Sequence, residues 1–265
     1  MQAITIFKKI VDSTAIHEFL DFLNTPDQYV DDRGDVKNKL MTPATQDWPL
    51  LTLTKILDKI LPEPYEIENA DFVKIRIASN LHTDTDNGDQ NKLYKNIIIP
   101  LETGKHASTA VFPHKWYGAK AKFTRVDLNP FSYVINDKQV NDIRDLLDCC
   151  NSSNKNSIVY NGETFENTDK FKQWLELLVE KRHNADARIS DYSQVTNITN
   201  QPFPEDFRKA WLSHLPKETL HGLKIPEIVD WNVGDVITFD RQLLHSGTSC
   251  IDGYKSFLAV FTYRK

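Results

Sequence analysis

Cysteine is scarce in this chain: three in 265 residues, two of them adjacent at Cys149 and Cys150. That number builds no disulfide framework and no zinc-binding spacing, which leaves those two and Cys250 as buried or incidental thiols. Long apolar runs are missing too. None approaches the ~18 residues that a membrane-spanning helix needs. The opening MQAITIFKKI has neither the long apolar core nor the small-residue cleavage site of a secretory signal. Charge of one sign is not in excess: 32 Lys and Arg stand against 37 Asp and Glu, for a net charge of −5. Such a balance gives no general pull toward nucleic acid or an anionic membrane; nucleic acid is not excluded, only not indicated. Internal repeats and low-complexity tracts are absent. The expectation is a soluble cytoplasmic protein that acts on a substrate, small or macromolecular, with no membrane partner.

What is present is enough for a core. Forty per cent of the residues are hydrophobic, which argues against wholesale disorder, and the length suits one large domain or two small ones. The first seventy residues read as helical support. TAIHEFLDFL spaces Ile16, Phe19, Leu20 and Leu23 for one helix face, and DWPLLTLTKILDKIL does the same with Leu50, Leu53, Ile56, Leu57 and Ile60 after a first-turn Pro49. From Asp71 the period changes. FVKIRIA alternates Val73, Ile75 and Ile77 against Lys74 and Arg76, the pattern of a half-buried strand. YKNIIIPLE, STAVF, AKFTRVDL and FSYVI follow as strand candidates.

Between about Val140 and Leu223 the helical period returns, most clearly in DKFKQWLELLVEKR and in PEDFRKAWLSHL, whose apolar stripes read as core. The tail reverts to strands at GDVITFD and KSFLAVFTY. Strands early and late, with helices between, fit one domain spanning 1–265: strands at 71–137 and 226–265, and a largely helical insertion at 138–225.

One of the eight histidines is followed two places later by aspartate, in LHTDTDNGDQ. Residues i and i+2 of a strand share a face, so His82 and Asp84 are placed to grip one ion together. Asp86 shares that face if the strand continues, and Asp84 is preferred because it is closer. The competing reading is a polar loop after a strand. Imidazole with carboxylate, completed by a second histidine, is the facial arrangement of non-haem Fe(II) oxygenases. A candidate for the second histidine lies in VGDVITFDRQLLHSGTSCIDGYKSFLAVFTYRK: turn Gly234, an apolar strand, His245, then Lys255.

In these two blocks, some forty residues in all, the chain resembles the Fe(II)/2-oxoglutarate-dependent dioxygenase superfamily, most closely its phytanoyl-CoA-hydroxylase-like and prolyl-hydroxylase-like branches. The resemblance implies a mainly β fold: a double-stranded β-helix (jelly-roll, cupin-like) with N-terminal buttressing helices and a helical insertion near the barrel mouth. It implies that His82, Asp84 and His245 bind Fe(II) and are the catalytic set. Lys255 is then the basic anchor for the far carboxylate of the co-substrate 2-oxoglutarate, with dioxygen as second co-substrate. The implied reaction couples decarboxylation of 2-oxoglutarate to succinate with oxidation of an unactivated C–H bond. Retention of Asp84 implies hydroxylation rather than halogenation. Two features depart from the pattern: Phe257 stands where many relatives carry a serine, and His82 and His245 are far apart in sequence.

Further candidates come from the strand that leads into the motif, where Arg76 is the stronger of Lys74 and Arg76 for holding the co-substrate; a solvated strand face is the alternative for both. Residues 103–126 carry five Lys or Arg, two His and no acid, interleaved with Phe112, Trp116, Tyr117 and Phe123. They read either as exposed strands with scattered lysines or as a surface for an anionic or planar substrate. His106 and His114 have no ligand spacing and are assigned to the surface or to the substrate side. Two other function classes remain. A zinc hydrolase on the same ligands needs a general base near the metal and no basic anchor deep in the barrel. A non-catalytic cupin-like binding protein should have lost a ligand.

Overall fold

Both apolar stripes of the first seventy residues form helices, and the alternating run from Asp71 lies in a strand that already begins at Tyr65. This computed structural model describes residues 4–25, 31–32, 36–41, 49–75, 78–85, 91–105, 107–117, 121–122, 133–135, 138–140, 158–160, 163–165, 187–188, 195–215, 217–248 and 253–265, with the backbone alone for the strands at 31–41 and 121–188. In chain order the elements are β1 (Ile4–Phe7), α1 (Ser13–Asn24), β2 (Asp31–Asp32), β3 (Val36–Met41), α2 (Pro49–Ile60), β4 (Tyr65–Ile75), β5 (Leu93–Glu102) and β6 (Ser108–Lys115). Short strands follow: β7 (Ala121–Lys122), β8 (Tyr133–Ile135), β9 (Lys138–Val140), β10 (Ile158–Tyr160), β11 (Glu163–Phe165) and β12 (Ala187–Arg188). The chain closes with α3 (Glu205–Trp211), α4 (Lys217–Leu220), β13 (Glu227–Asp230), β14 (Val236–Asp240), β15 (Leu243–Gly247) and β16 (Lys255–Arg264).

These elements form two compact units, Met1–Ala119 with Tyr192–Lys265, and Lys120–Asp191. The smaller unit holds an antiparallel sheet in the order β11-β10-β8-β9 and a parallel pair of β7 with β12. The larger is mainly antiparallel β. Its seven-stranded sheet runs β1-β14-β5-β16-β4-β3-β2, and its three-stranded sheet runs β13-β6-β15. His82 adds an isolated antiparallel bridge to β15 at His245. From β4 the chain therefore passes to the small sheet at His82, to the large one at β5, to the small one at β6 and β13, then alternates through β14, β15 and β16.

Helix α1 starts because the Asp12 side chain accepts from the Ala15 amide at 2.9 Å, satisfying one of the orphan donors of the first turn. Its stripe of Ile16, Phe19, Phe22 and Leu23, with Leu53, Ile56, Leu57 and Ile60 of α2, packs on Ala70 and Phe72 of β4, Ile97 and Ile99 of β5, Val236, Leu258 and Val260. The Phe72 ring lies 4.8 Å from that of Phe22 and 5.8 Å from that of Phe19. Each such fully buried side chain contributes roughly 1.5–3 kcal/mol. A second core fills the opposite face of the large sheet, where Ile4, Ile98, Ile237 and Phe239 meet Val111, Val229 and Leu243 of the small one.

Coverage on both faces explains the two strands with unusual patterns. β5 is a nearly continuous apolar run because Ile97 and Ile99 serve the helices while Ile98 serves the other sheet. β4 was expected to be half-buried with Lys74 on a solvated face. Instead Phe72 is fully buried under the helices, and Lys74, which shares its parity, ends the strand beside Glu102 at 3.3 Å. Arg76 lies outside the described residues.

Among the described residues, the first seventy supply β1, β2, β3 and the start of β4 as well as the two helices. β1 pairs Ile4 with Phe239 along β14, and β3 pairs with β4. Within the expected insertion, the described elements before Asp191 are short strands, and DKFKQWLELLVEKR lies outside the described residues. Residues 195–225 belong with the larger unit: the Thr196 amide donates to the Lys115 carbonyl at 2.9 Å, and the Lys115 amide donates to Thr196 Oγ1 at 2.8 Å. α3 forms where its spacing predicts, but none of its residues is fully buried; Leu212 and Leu215, just beyond it, supply the core. Among the described residues no helix is long and apolar enough to cross a membrane.

Candidate metal site

The bridge between His82 and His245 brings the distant motifs together. Each histidine's amide donates to the other's carbonyl at 2.9 Å, which makes them a directly opposed antiparallel pair with both side chains on one face. Their rings stand 4.2 Å apart, and Phe239 abuts the His245 ring at 4.9 Å. Asp84, two residues along, presents its carboxylate to both. Its Oδ2 lies 3.0 Å from His245 Nε2 and its Oδ1 lies 3.8 Å from His82 Nε2. Ligand atoms of the three residues all fall within 4.8 Å of one another, with Asp84 and His245 buried and His82 half-buried.

Both imidazoles are set for ligation. His82 Nδ1 faces the Asn80 carbonyl at 2.6 Å, and His245 Nδ1 faces the Leu243 carbonyl at 3.0 Å. A carbonyl only accepts, so each Nδ1 carries a proton, and the other ring nitrogen, Nε2, faces Asp84. A backbone carbonyl behind a ligating histidine is the usual means of fixing its tautomer and orientation. Donors about 2.1 Å from one ion and at right angles to each other lie about 3.0 Å apart; the His245–Asp84 pair stands at that separation. The donor set therefore fits a divalent cation with affinity for nitrogen and oxygen.

Two residues that the sequence reading passed over hold Asp84. Arg241, 3 % exposed, donates from Nε to the Asp84 carbonyl at 2.8 Å and accepts the Asp84 amide on its own carbonyl at 3.2 Å. Its guanidinium pairs with Glu68 at 2.6 Å and lies over the Phe261 and Tyr263 rings. Asn96 donates from Nδ2 to Asp84 Oδ2. A lone amide in the apolar run NIIIP was the available signal for Asn96; Arg241 gave none beyond its position after a strand.

Lys255 was read with a solvated hairpin lysine as the alternative, and the structure buries it to 2 % exposure. It opens β16 on the face away from the helices, donates to the Thr248 carbonyl, and lies 5.0 Å from the Trp231 ring. Phe257, in the same parity, stacks edge-on against Trp231 at 4.9 Å. Gly247 admits the lysine head: a Cβ there would stand 3.4 Å from Nζ and 3.0 Å from Ser79 Oγ. Beside this cluster His214, unremarked in the sequence, has its Nε2 3.2 Å from the Ser79 carbonyl and 3.0 Å from Ser246 Oγ. Burial, reinforced by the nearby Lys255 charge, lowers its pKa to about 4 despite the Ser79 carbonyl.

Other expectations fare differently. His114, assigned to the surface or the substrate side, is fully buried. Its Nδ1 donates to the Thr196 carbonyl at 2.6 Å and its Nε2 accepts the Lys224 amide at 2.8 Å, so it is a structural pin between β6 and two loops. In the basic segment, Lys115 is held by Asp240 at 2.7 Å, which Lys95 shares at 2.7 Å. His106, Asp86, the three cysteines and the side chains of Lys120 and Lys122 lie outside the described residues.

No protein-family model matches this chain, and no curated protein matches it. Solved structures do. The viral collagen prolyl hydroxylase of Paramecium Bursaria Chlorella virus-1, in complex with 2-oxoglutarate, is 8% identical over 100% of this chain and 97% of its own, with a TM-score of 0.46. A Pseudomonas putida prolyl-4-hydroxylase is 7% identical over 100% of this chain and 94% of its own, at 0.44. HygX from Streptomyces hygroscopicus, with nickel and 2-oxoglutarate bound, is 11% identical over 99% of this chain and 82% of its own, at 0.41.

Proposed function

We propose that this protein is an Fe(II)- and 2-oxoglutarate-dependent dioxygenase, and that it hydroxylates its substrate. The observation that carries the reading is the convergence of His82, Asp84 and His245, each imidazole locked by a backbone carbonyl with its Nε2 turned to the shared carboxylate. Two histidines and one carboxylate on one side of an ion leave open positions opposite, as non-haem Fe(II) oxygenases require. The passage of the chain back and forth between the two sheets, through eight elements from β4 to β16, supports a double-stranded β-helix, with the His82 segment serving as the outer strand of the smaller sheet.

Fe(II), when bound, supplies the activation of dioxygen at the expense of 2-oxoglutarate, which leaves as succinate and CO2. The protein's share is placement. His82, Asp84 and His245 hold the ion; Asp84 supplies the single negative charge. Lys255 offers a cation to the far carboxylate of 2-oxoglutarate, a charge-assisted contact that fixes its direction. Trp231 and Phe257 wall the lysine against water. Ser79, whose hydroxyl borders Gly247 together with the Lys255 amine, is the candidate for the place of the serine that Phe257 displaces. An anionic substrate is proposed from the composition of residues 103–126. The burial of Lys255 supports this reading over a zinc hydrolase, which needs no basic anchor deep in the barrel.

The test is succinate formation from 2-oxoglutarate in the presence of Fe(II), ascorbate and oxygen, screened across substrate classes. Wild-type protein is expected to turn over 2-oxoglutarate slowly without substrate, and His82→Ala or Asp84→Ala to abolish that turnover. Full iron affinity in His82→Ala would refute the site.

A further inference from the structure

Asn96 sits on β5 with 2 % of its surface exposed, opposite Phe239 of β14 and Phe261 of β16. It shares parity with Ile98, on the face that meets the smaller sheet. A carboxamide in such a place is costly, because a buried polar atom without a partner costs about 1–3 kcal/mol. Leucine has nearly the same shape and carries no such penalty. The orientation of the amide is also fixed: a carboxylate only accepts, so the Nδ2 group faces Asp84 Oδ2 and the oxygen faces away. That oxygen, Oδ1, is buried and has no hydrogen-bond partner among the described residues. Half of the amide goes unsatisfied while the other half holds the aspartate.

The Asp84 main chain is already fixed on both sides by Arg241, through its carbonyl at 2.8 Å and its amide at 3.2 Å. Rotation of the carboxylate head is a separate freedom, and Asn96 acts on that. Resting on the metal-site reading above, we propose that Asn96 is a positioning residue: it holds the Asp84 carboxylate toward the two imidazoles and thereby sets the affinity of the triad for a divalent cation. Outer-shell partners of this kind typically change metal affinity about 10–100-fold when removed.

Metal-free protein titrated with Co(II), followed by visible absorption, tests this without reference to turnover. Asn96→Leu fills the same space without the donor, and Asn96→Ser returns a shorter donor. Circular dichroism checks that each is folded. The expected result is a Co(II) dissociation constant raised about 10–100-fold in Asn96→Leu, with a changed visible band and partial recovery of both in Asn96→Ser. If Asn96→Leu does not fold, Asn96→Ala carries the same expectation. A folded Asn96→Leu or Asn96→Ala protein that binds Co(II) with wild-type affinity and spectrum overturns the role of Asn96 alone. Wild-type protein that holds no Co(II) overturns the metal site itself, and the inference with it.

Discussion

Acidification should destabilise this protein through His214, by an amount that can be read from its surroundings. Burial, together with the charge of Lys255, lowers the His214 pKa from 6.5 to about 4. Between those values the unfolded chain binds a proton that the folded chain refuses. Stability therefore rises with pH across the interval, is complete above about 6.5, and is lost as pH falls toward 4. At about 1.36 kcal/mol per pH unit, the whole interval is worth about 3 kcal/mol, and the stretch from pH 6.5 to 5 about 2 kcal/mol. The perturbation is His214→Gln, which keeps an N–H within reach of the Ser79 carbonyl and removes the titration. Urea denaturation followed by tryptophan fluorescence, repeated from pH 7.5 to 4.5, gives both stability curves. Buried His114 also has a lowered pKa, chiefly from burial, but it is common to both proteins and drops out of the difference. The wild-type curve is expected to fall below that of the variant progressively on acidification. Two curves that stay parallel from pH 6.5 to 5 would show that His214 is not held neutral by its pocket.

Two more outcomes follow from the same region. On the proposed role of Lys255, Lys255→Met removes a charge-assisted contact worth about 1.5–3 kcal/mol, so binding of 2-oxoglutarate by metal-loaded protein, measured by calorimetry, is expected to weaken about 10–100-fold while Co(II) affinity stays unchanged. Arg241→Leu strands Glu68 and frees the Asp84 main chain; breaking a largely buried ion pair of this kind costs about 3 kcal/mol, measurable by urea denaturation, and Co(II) affinity should fall with it.

Much of the architecture was legible because periodicity reports which faces of an element meet apolar neighbours. The stripes of α1 and α2 and the strands β5, β6, β14 and β16 all follow from spacing alone. The reading of β4 erred because alternation distinguishes a covered face from a wet one, and here Lys74 lies on a covered face and escapes at its end. β1 and β3 were missed for a related reason. β1, at the edge, and β3, between β4 and β2, draw their stability from pairing with β14 and β4, which the local sequence does not record.

The site divides in the same way. Sequence by itself determined the candidate donors, since His82 and Asp84 stand two apart and His245 and Lys255 follow in order. It could not determine that the backbone of His82 pairs with that of His245, 163 positions downstream by their numbers, because register between distant strands is set by the packing of two whole sheets. Nor could it assign Asn96, Arg241 and His214, or remove His114 from the surface. Their roles depend on which carbonyl, carboxylate or amide stands opposite each of them, and only the closed tertiary structure supplies those partners.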